Sequence, residues 1–487
     1  MKNLKYLLLS FAFIFNTSCF NDDLDDNIAS SRDINDFIWK GMNLWYFWQQ
    51  EESLPDLADD RFTTNEEYTT YLDGFDSPEA LFESLLFNED RFSIITSNYN
   101  DLINSLNGVS LSNGMEFGLA RIDGGSELLG FVQYVVPNSN AASQNVERGM
   151  LFRTVDGTNL NENNFGSLLF GENTSYTIGL ADIVNDEIVV NGNEITLLKQ
   201  TLTENPILIN EVYEIEGIKI GYLMYNSFND EFDNQLNAVF AEFASENIDE
   251  LILDLRYNLG GSVGTTIRLS SMITGQYTGD VFLRSVYNDK LNEVLSEEDR
   301  ERNFVNELAD GSAINSLNLN SLYVLAQGSS ASASELLINS LSASPYLGNN
   351  LVHIGDVTVG KNEFSTVLLD APDCAFVLTE NCSGPINPNH TYGMLPLLGR
   401  NANADGFFEF TDGLNPDITF EEDISNLGVL GDVTEPLLER AIQEIIGTRA
   451  SVNNTINTNF KTITSSKFFT PIKDNMVMDI DTSILNN

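Results

Sequence analysis

The sequence predicts an α/β core joined to a smaller β-rich segment and preceded by a helical region. Three observations carry that reading. Apolar strands run into helical patterns at residues 251–273 and 322–341, and strand-helix-strand units argue an α/β layer. Residues 104–202 change to short strands punctuated by glycine turns. Residues 31–97 place apolar side chains at helical spacing.

Residues 1–18 read as an export signal. Lys2 and Lys5 give a positive start, and Tyr6 to Phe15 form an apolar run too short to span a bilayer. With Thr17 and Ser18 before Cys19, the stretch resembles a lipoprotein signal peptide, which implies cleavage there and acylation of Cys19. Asn16 departs from the aliphatic residue usual three before the cysteine, and an ordinary secreted protein is the alternative. Residues 19–30, with Asp22, Asp23, Asp25 and Asp26, form an acidic tether. The tether resembles the signal that sends some Bacteroidota lipoproteins to the cell surface, although any solvated linker has this composition. The expected location is the outer membrane, on its periplasmic side or at the cell surface, with the membrane reached through the lipid anchor.

Residues 31–103 are expected to be helical. Ile34, Phe37, Ile38, Met42 and Trp45 share one face, and Ser77-Pro78 starts a further helix whose face is Leu81, Leu85 and Leu86. Such an aromatic stripe is core or a docking face, and no chemistry is assigned to it.

In residues 104–202, Gly114-Met115-Glu116-Phe117-Gly118-Leu119 reads as a glycine-flanked apolar turn, followed by a strand over 130–136. The order of elements resembles a PDZ domain of the kind found in bacterial proteases. That resemblance makes residues 114–119 a carboxylate-binding loop, to which a peptide adds as a strand. A small β-domain with no peptide bound is the alternative.

The core, residues 203–448, opens with the alternating strand at 218–224 and a helix over 231–245. Asp254 and Arg256 lie in a buried strand, where ion pairing or hydrogen bonding is their expected role. In the second strand-helix unit, Leu322-Tyr323-Val324-Leu325-Ala326 leads through small residues to Ser332 and a helix with Ala333, Leu336, Leu337, Ser340 and Leu341 on one face. A serine on such a turn holds its hydroxyl out of the sheet, and the Ala333 N–H points where an oxyanion would form. The chain has two histidines, His353 in an apparent buried strand and His390 in a Pro/Asn-rich loop, and neither has a base's setting. Lys361 can serve instead if desolvation lowers its pKa. The plainer alternatives are an N-cap serine and a solvated lysine in a turn.

Ala331-Ser332-Ala333-Ser334-Glu335 followed by Thr358-Val359-Gly360-Lys361 resembles the signature of the C-terminal processing peptidases (tail-specific proteases). The resemblance makes Ser332 the nucleophile and Lys361 the base, and extends to Asp254-Leu255-Arg256-Tyr257-Asn258-Leu259-Gly260-Gly261, where Gly260 or Gly261 is implied as second oxyanion donor beside Ala333. Gly413-Leu414-Asn415-Pro416-Asp417 and Glu435-Pro436-Leu437-Leu438 resemble the closing segments. The implied fold is a crotonase-like ββα spiral with a PDZ-like domain. Three departures stand out: Val359 replaces the family's phenylalanine, Ser365 stands where a lysine-orienting glutamine often sits and is expected to orient Lys361 in its place with a shorter reach, and residues 344–350 look like an inserted loop.

Composition fits an exported globular protein. Lys+Arg is 24 against Asp+Glu 72, a net charge of −48, and so acidic a surface repels nucleic acid. Cys374 and Cys382 could close a local disulfide in an oxidising compartment; no metal or cofactor is implied. Residues 449–487, rich in Asn, Thr and Ser, read as a weakly ordered tail. The functional expectation is a serine endopeptidase acting on protein or peptide substrates near their C-terminal tails. The alternatives are a catalytically inactive peptide- or glycan-binding surface lipoprotein and an esterase or amidase for small molecules.

Overall fold

The computed structural model describes residues 30–185, 187–379, 381–448, 460–469, 476–480 and 482; the export signal, Cys19 and most of the acidic tether lie outside them. Helix α1 (Ser31–Trp45) begins in a capping box, Ser30 accepting from the Asp33 N–H while Asp33 accepts from Ser30. Its expected apolar face is buried. The face docks on the core, with the Trp45 indole donating to the Ala375 carbonyl at 2.7 Å and Phe47 N–H to the Leu397 carbonyl at 2.9 Å. Ser77 caps the helix Pro78–Ser84, as its sequence predicts.

The small domain is an antiparallel sheet in the order β1 (Met115–Ile122), Leu128–Val135, Leu151–Val155, Ser175–Val184, Glu187–Leu198. A short helix, α2 (Phe165–Phe170), packs Leu169 against Phe117, Phe152 and Ile178. The apolar turn expected at 114–119 is corrected here. Only Gly114 turns, at φ +83°; residues 115–119 lie in β1, with Met115, Phe117 and Leu119 buried in the domain core. Their alternation is the period of a strand.

In the core, β2 (Glu250–Asp254) leads through the glycine turn to a short β3 (Gly261–Ser262). Strand β4 (Leu322–Ala326) leads into α3 (Ala333–Leu341), and β5 (Leu351–Gly355) into β6 (Glu363–Ser365). The main sheet runs Ile207–Ile215, Ile218–Tyr225, β2, β4, β5, Ile418–Thr419, and every pair after the first is parallel. Its strands are continuous apolar runs because both faces are covered. Leu251, Leu253 and Leu255 pack with α3 and the helices Asp233–Glu246 and Val263–Thr274 in one cluster, whereas Ile252 packs with α4 (Pro436–Ile445) in another. This mixed α/β architecture is the expected one. Cys374 and Cys382 are joined by a disulfide. Among the described residues, no helix is long and apolar enough to cross a membrane.

Of the tail expected to be weakly ordered, residues 449–459, 470–475, 481 and 483–487 lie outside the described residues, and the described part is a second correction. Residues 460–465 form β7 (Phe460–Ser465), antiparallel to β1. Residues 476–477 form β8 (Met476–Val477), which lies between β3 and β6 in a second sheet completed by Leu397–Ala402, Val281–Tyr287 and Glu301–Asn303. Met476, Met478 and Ile480 are buried. That period-two alternation is a strand signal, outweighed in the sequence by the surrounding Asn, Thr and Ser.

Candidate active site

The turn after β4 is stitched to the strand beside it by small hydroxyl side chains. Ser330 Oγ donates to the Leu255 carbonyl at 2.8 Å, Ser329 Oγ to the Arg256 carbonyl at 2.7 Å, and Ser334 Oγ to the Asn258 carbonyl at 3.0 Å. The Ala331 N–H reaches the same Asn258 carbonyl at 3.1 Å. Held this way, Ser332 takes φ +61° and ψ −112°, a conformation that costs a non-glycine residue about 1–3 kcal/mol and that clusters at functional sites. Ala333 is the first residue of α3, so its N–H lacks an intrahelical acceptor and sits at the positive end of the helix dipole.

Lys361 is brought to this turn by Glu335. The buried Glu335 carboxylate accepts from the Ser332 N–H at 2.7 Å, the Gly360 N–H at 2.6 Å, the Lys361 N–H at 2.9 Å and the Thr358 hydroxyl. Burial pushes its pKa up to about 7, while these donors hold it down. Thr358 Oγ1 accepts in turn from the Leu414 N–H at 2.8 Å, tying in one closing segment. The Lys361 side chain is fully buried, with Nζ 4.7 Å from the centre of the Phe92 ring. Arg91 donates to the Gly360 carbonyl at 3.0 Å, so the N-terminal region walls the lysine turn.

The hydroxyls of Ser332 and Ser365 are buried with no hydrogen-bond partner among the described residues. Neither is bonded to Lys361. For Ser365 this corrects the expected lysine-orienting role: it lies in β6, paired with Val477, and its carbonyl accepts from the Met478 N–H at 2.9 Å. Of the two glycines that are alternatives for the second oxyanion donor, Gly260 already gives its N–H to Asn258 Oδ1 at 2.8 Å, which removes it and leaves Gly261. Gly261 has φ +134°, and a Cβ there would stand 2.1 Å from the Phe228 carbonyl oxygen, so only glycine fits. A cavity of ≈ 420 Å³ between the small domain and the core is lined by Glu116, Glu204, Phe228, Gly260, Gly261 and Thr366, among others. Neither Ser332 nor Lys361 lines it.

Beneath the glycine turn, Asp254 and Arg256 take the structural role expected of them. The Arg256 guanidinium, itself fully buried, meets Asp254 at 2.7 Å, Glu422 at 3.0 Å and both oxygens of Glu435 at 2.7 and 3.0 Å. Arg148 of the small domain joins Glu422 at 2.6 Å and the Tyr257 hydroxyl at 2.7 Å. Burial works against ionisation of Glu422, but Arg148 and Arg256 hold it below the usual carboxylate range.

In the segment expected to capture a carboxylate, three amides are already engaged. The Gly114 N–H donates to Ser112 Oγ at 3.0 Å, Met115 N–H to Asn113 Oδ1 at 2.9 Å, and Phe117 N–H to Ser466 Oγ at 2.9 Å. Sequence reasoning missed Glu335 as the brace, Asn258 as the group holding Gly260, and Phe92 as the cover over Lys361. Only Glu335 left a signal, as a carboxylate three residues after Ser332 on a helix with no other charged residue.

Residues 219–379 match Peptidase family S41, and residues 33–94 match the Peptidase S41 N-terminal domain. Among solved structures, a crystal structure assigned as an S41 protease from Bacteroides fragilis NCTC 9343 is similar at 24% identity and TM-score 0.63, covering 85% of this chain and 98% of that one. A photosystem II D1 C-terminal processing protease is similar at 19% identity and TM-score 0.45, covering 85% of this chain and 97% of that one. No curated protein sequence matches. The two matched segments, one in the mixed α/β core and one in the helical region docked on it, are those of a family S41 serine-type peptidase.

Proposed function

We propose that the chain is a serine endopeptidase that cleaves protein substrates near their C-terminal tails through a Ser332–Lys361 dyad. The observation that carries this reading is the sharing of Glu335 by the Ser332 and Lys361 backbones. Neutral Lys361 takes the Ser332 hydroxyl proton as Oγ attacks the peptide carbonyl. The N–H groups of Ala333 and Gly261 stabilise the oxyanion. Lys361 returns the proton to the leaving amine, and water then hydrolyses the acyl-enzyme with Lys361 again as base. The Ser332–Lys361 hydrogen bond forms as substrate enters, since catalytic hydrogen bonds often tighten only in the complex. Export as a lipoprotein acylated at Cys19, held at the outer membrane on either face, supplies the setting.

Ser332→Ala and Lys361→Ala are each expected to abolish cleavage of an unfolded casein-type substrate while leaving thermal unfolding unchanged. Full activity in either refutes the dyad. The buried, unbonded Ser332 hydroxyl favours a second reading, an inactive peptide- or glycan-binding protein on the same scaffold. Neither fluorophosphonate labelling nor casein cleavage would then be seen.

A further inference from the structure

Ser332 and Lys361 are both fully buried, so no polypeptide reaches the hydroxyl until something is displaced. Residues 460–465 and 476–477 of the same chain pair with β1 and β3. Strand β7 pairs antiparallel with β1, from Phe460 opposite Ile122 to Ser465 opposite Gly118. It is the outermost strand of that sheet, and without it β1 would present an open edge, the surface to which an extended peptide adds. Ser466 Oγ accepts from the Phe117 N–H and donates to Glu116. The Phe469 ring stacks on Phe170 with centroids 4.2 Å apart and meets Phe165 edge-on at 5.6 Å. Both partners belong to α2, the opposite wall of a groove of ≈ 490 Å³ that Met115, Phe117, Leu169 and Tyr176 also line.

The same segment continues toward the catalytic turn. Lys467 donates to the Asn226 carbonyl at 3.0 Å and pairs with Glu204 at 3.6 Å, at residues that line the cavity leading to Gly260 and Gly261. Further on, Met476 pairs in parallel with Gly261 and Val477 with Ser262. Val477 also pairs with Ser365, four residues beyond Lys361. One end of the segment therefore lies on the β1 edge and the other against the glycine proposed as oxyanion donor. Lys461 and Lys467 stand out in a chain of net charge −48.

We propose that residues 460–469 and 476–480 are a self-bound peptide occupying, in cis, the route a substrate takes from the β1 edge to the Gly261 turn. The surface under residues 460–469 is then a docking site for an extended, hydroxyl-rich, cationic segment that ends in an aromatic side chain. The direction of the route rests on the serine-peptidase reading; the docking surface does not. Being part of the same chain, the segment outcompetes free peptide without high intrinsic affinity.

The test uses a fluorescently labelled peptide of the sequence of residues 460–469. Its binding to the full chain carrying Ser332→Ala is compared with binding to Ser332→Ala/Phe469→Ala. Phe469 is 41% exposed, so its loss spares the fold, and Lys467→Ala serves as a second variant should thermal unfolding show otherwise. The expected result is at least tenfold tighter peptide binding by the variant. With Ser332 intact, Phe469→Ala is expected to raise kcat/KM on an unfolded protein several-fold, chiefly through KM. No gain in peptide binding in either folded variant overturns the proposal, whatever the peptidase activity. A gain in binding with no cleavage by any form upholds the docking surface and instead counts against the dyad.

Discussion

Ser332 and Lys361, 29 positions apart in the chain, donate their backbone N–H groups to the same oxygen, Glu335 Oε2, at 2.7 and 2.9 Å. One buried acceptor thus sets the spacing of two turns that end different strands, and the first prediction follows from it. Glu335→Gln turns an amide NH2 toward donors that need an acceptor. Each buried donor left unsatisfied costs about 1–3 kcal/mol. Misplacement of the two turns is expected to lower kcat roughly 100-fold, with KM less affected, in steady-state cleavage assays on protein that still folds.

The same carboxyl gives a pH dependence. Its pKa in the folded state, pushed by burial up to about 7 from 4.5, exceeds that of the unfolded chain, so the folded protein holds the proton more tightly. Its contribution to stability is full below about pH 4.5 and is lost as pH rises through 7, by up to about 3 kcal/mol. Urea unfolding from pH 4 to 8 is expected to show wild type losing that stability relative to Glu335→Gln. Parallel curves would contradict it.

Asn258→Ala separates the two glycines. Removing the side chain frees the Gly260 N–H and strips a donor from the Tyr225 carbonyl, at about 1–3 kcal/mol of stability. If Gly261 is the oxyanion donor, the unfolding midpoint falls while kcat changes little. Gly261→Ala, with its Cβ 2.1 Å from the Phe228 carbonyl oxygen, is expected to eliminate activity.

Arg256→Met leaves Asp254, Glu422 and Glu435 without the cation at their centre. Breaking a buried ion cluster from one side costs about 3–5 kcal/mol. Denaturant titration is expected to read a loss of that size. A variant as stable as wild type would mean that the carboxylates had found other donors.

What could be read from the sequence was whatever repeats over a few residues. The buried faces of α1 and α3, the continuous apolar strands β2, β4 and β5, the cap at Ser77 and the placing of Ser332 at a helix start all follow from local spacing and backbone preference. Tertiary structure alone decided where the buried polar groups find partners. Asn258 takes the Gly260 N–H, Phe92 covers an amine 269 positions on, and Arg256 meets Glu435 across 179 positions. It also decided the tail, because β7 and β8 have too few apolar residues to form strands alone and do so only where β1, β3 and β6 offer unpaired backbone. Periodicity is a property of neighbours along the chain, whereas satisfying a buried donor or charge depends on whichever segment the fold brings within 3 Å or so of it.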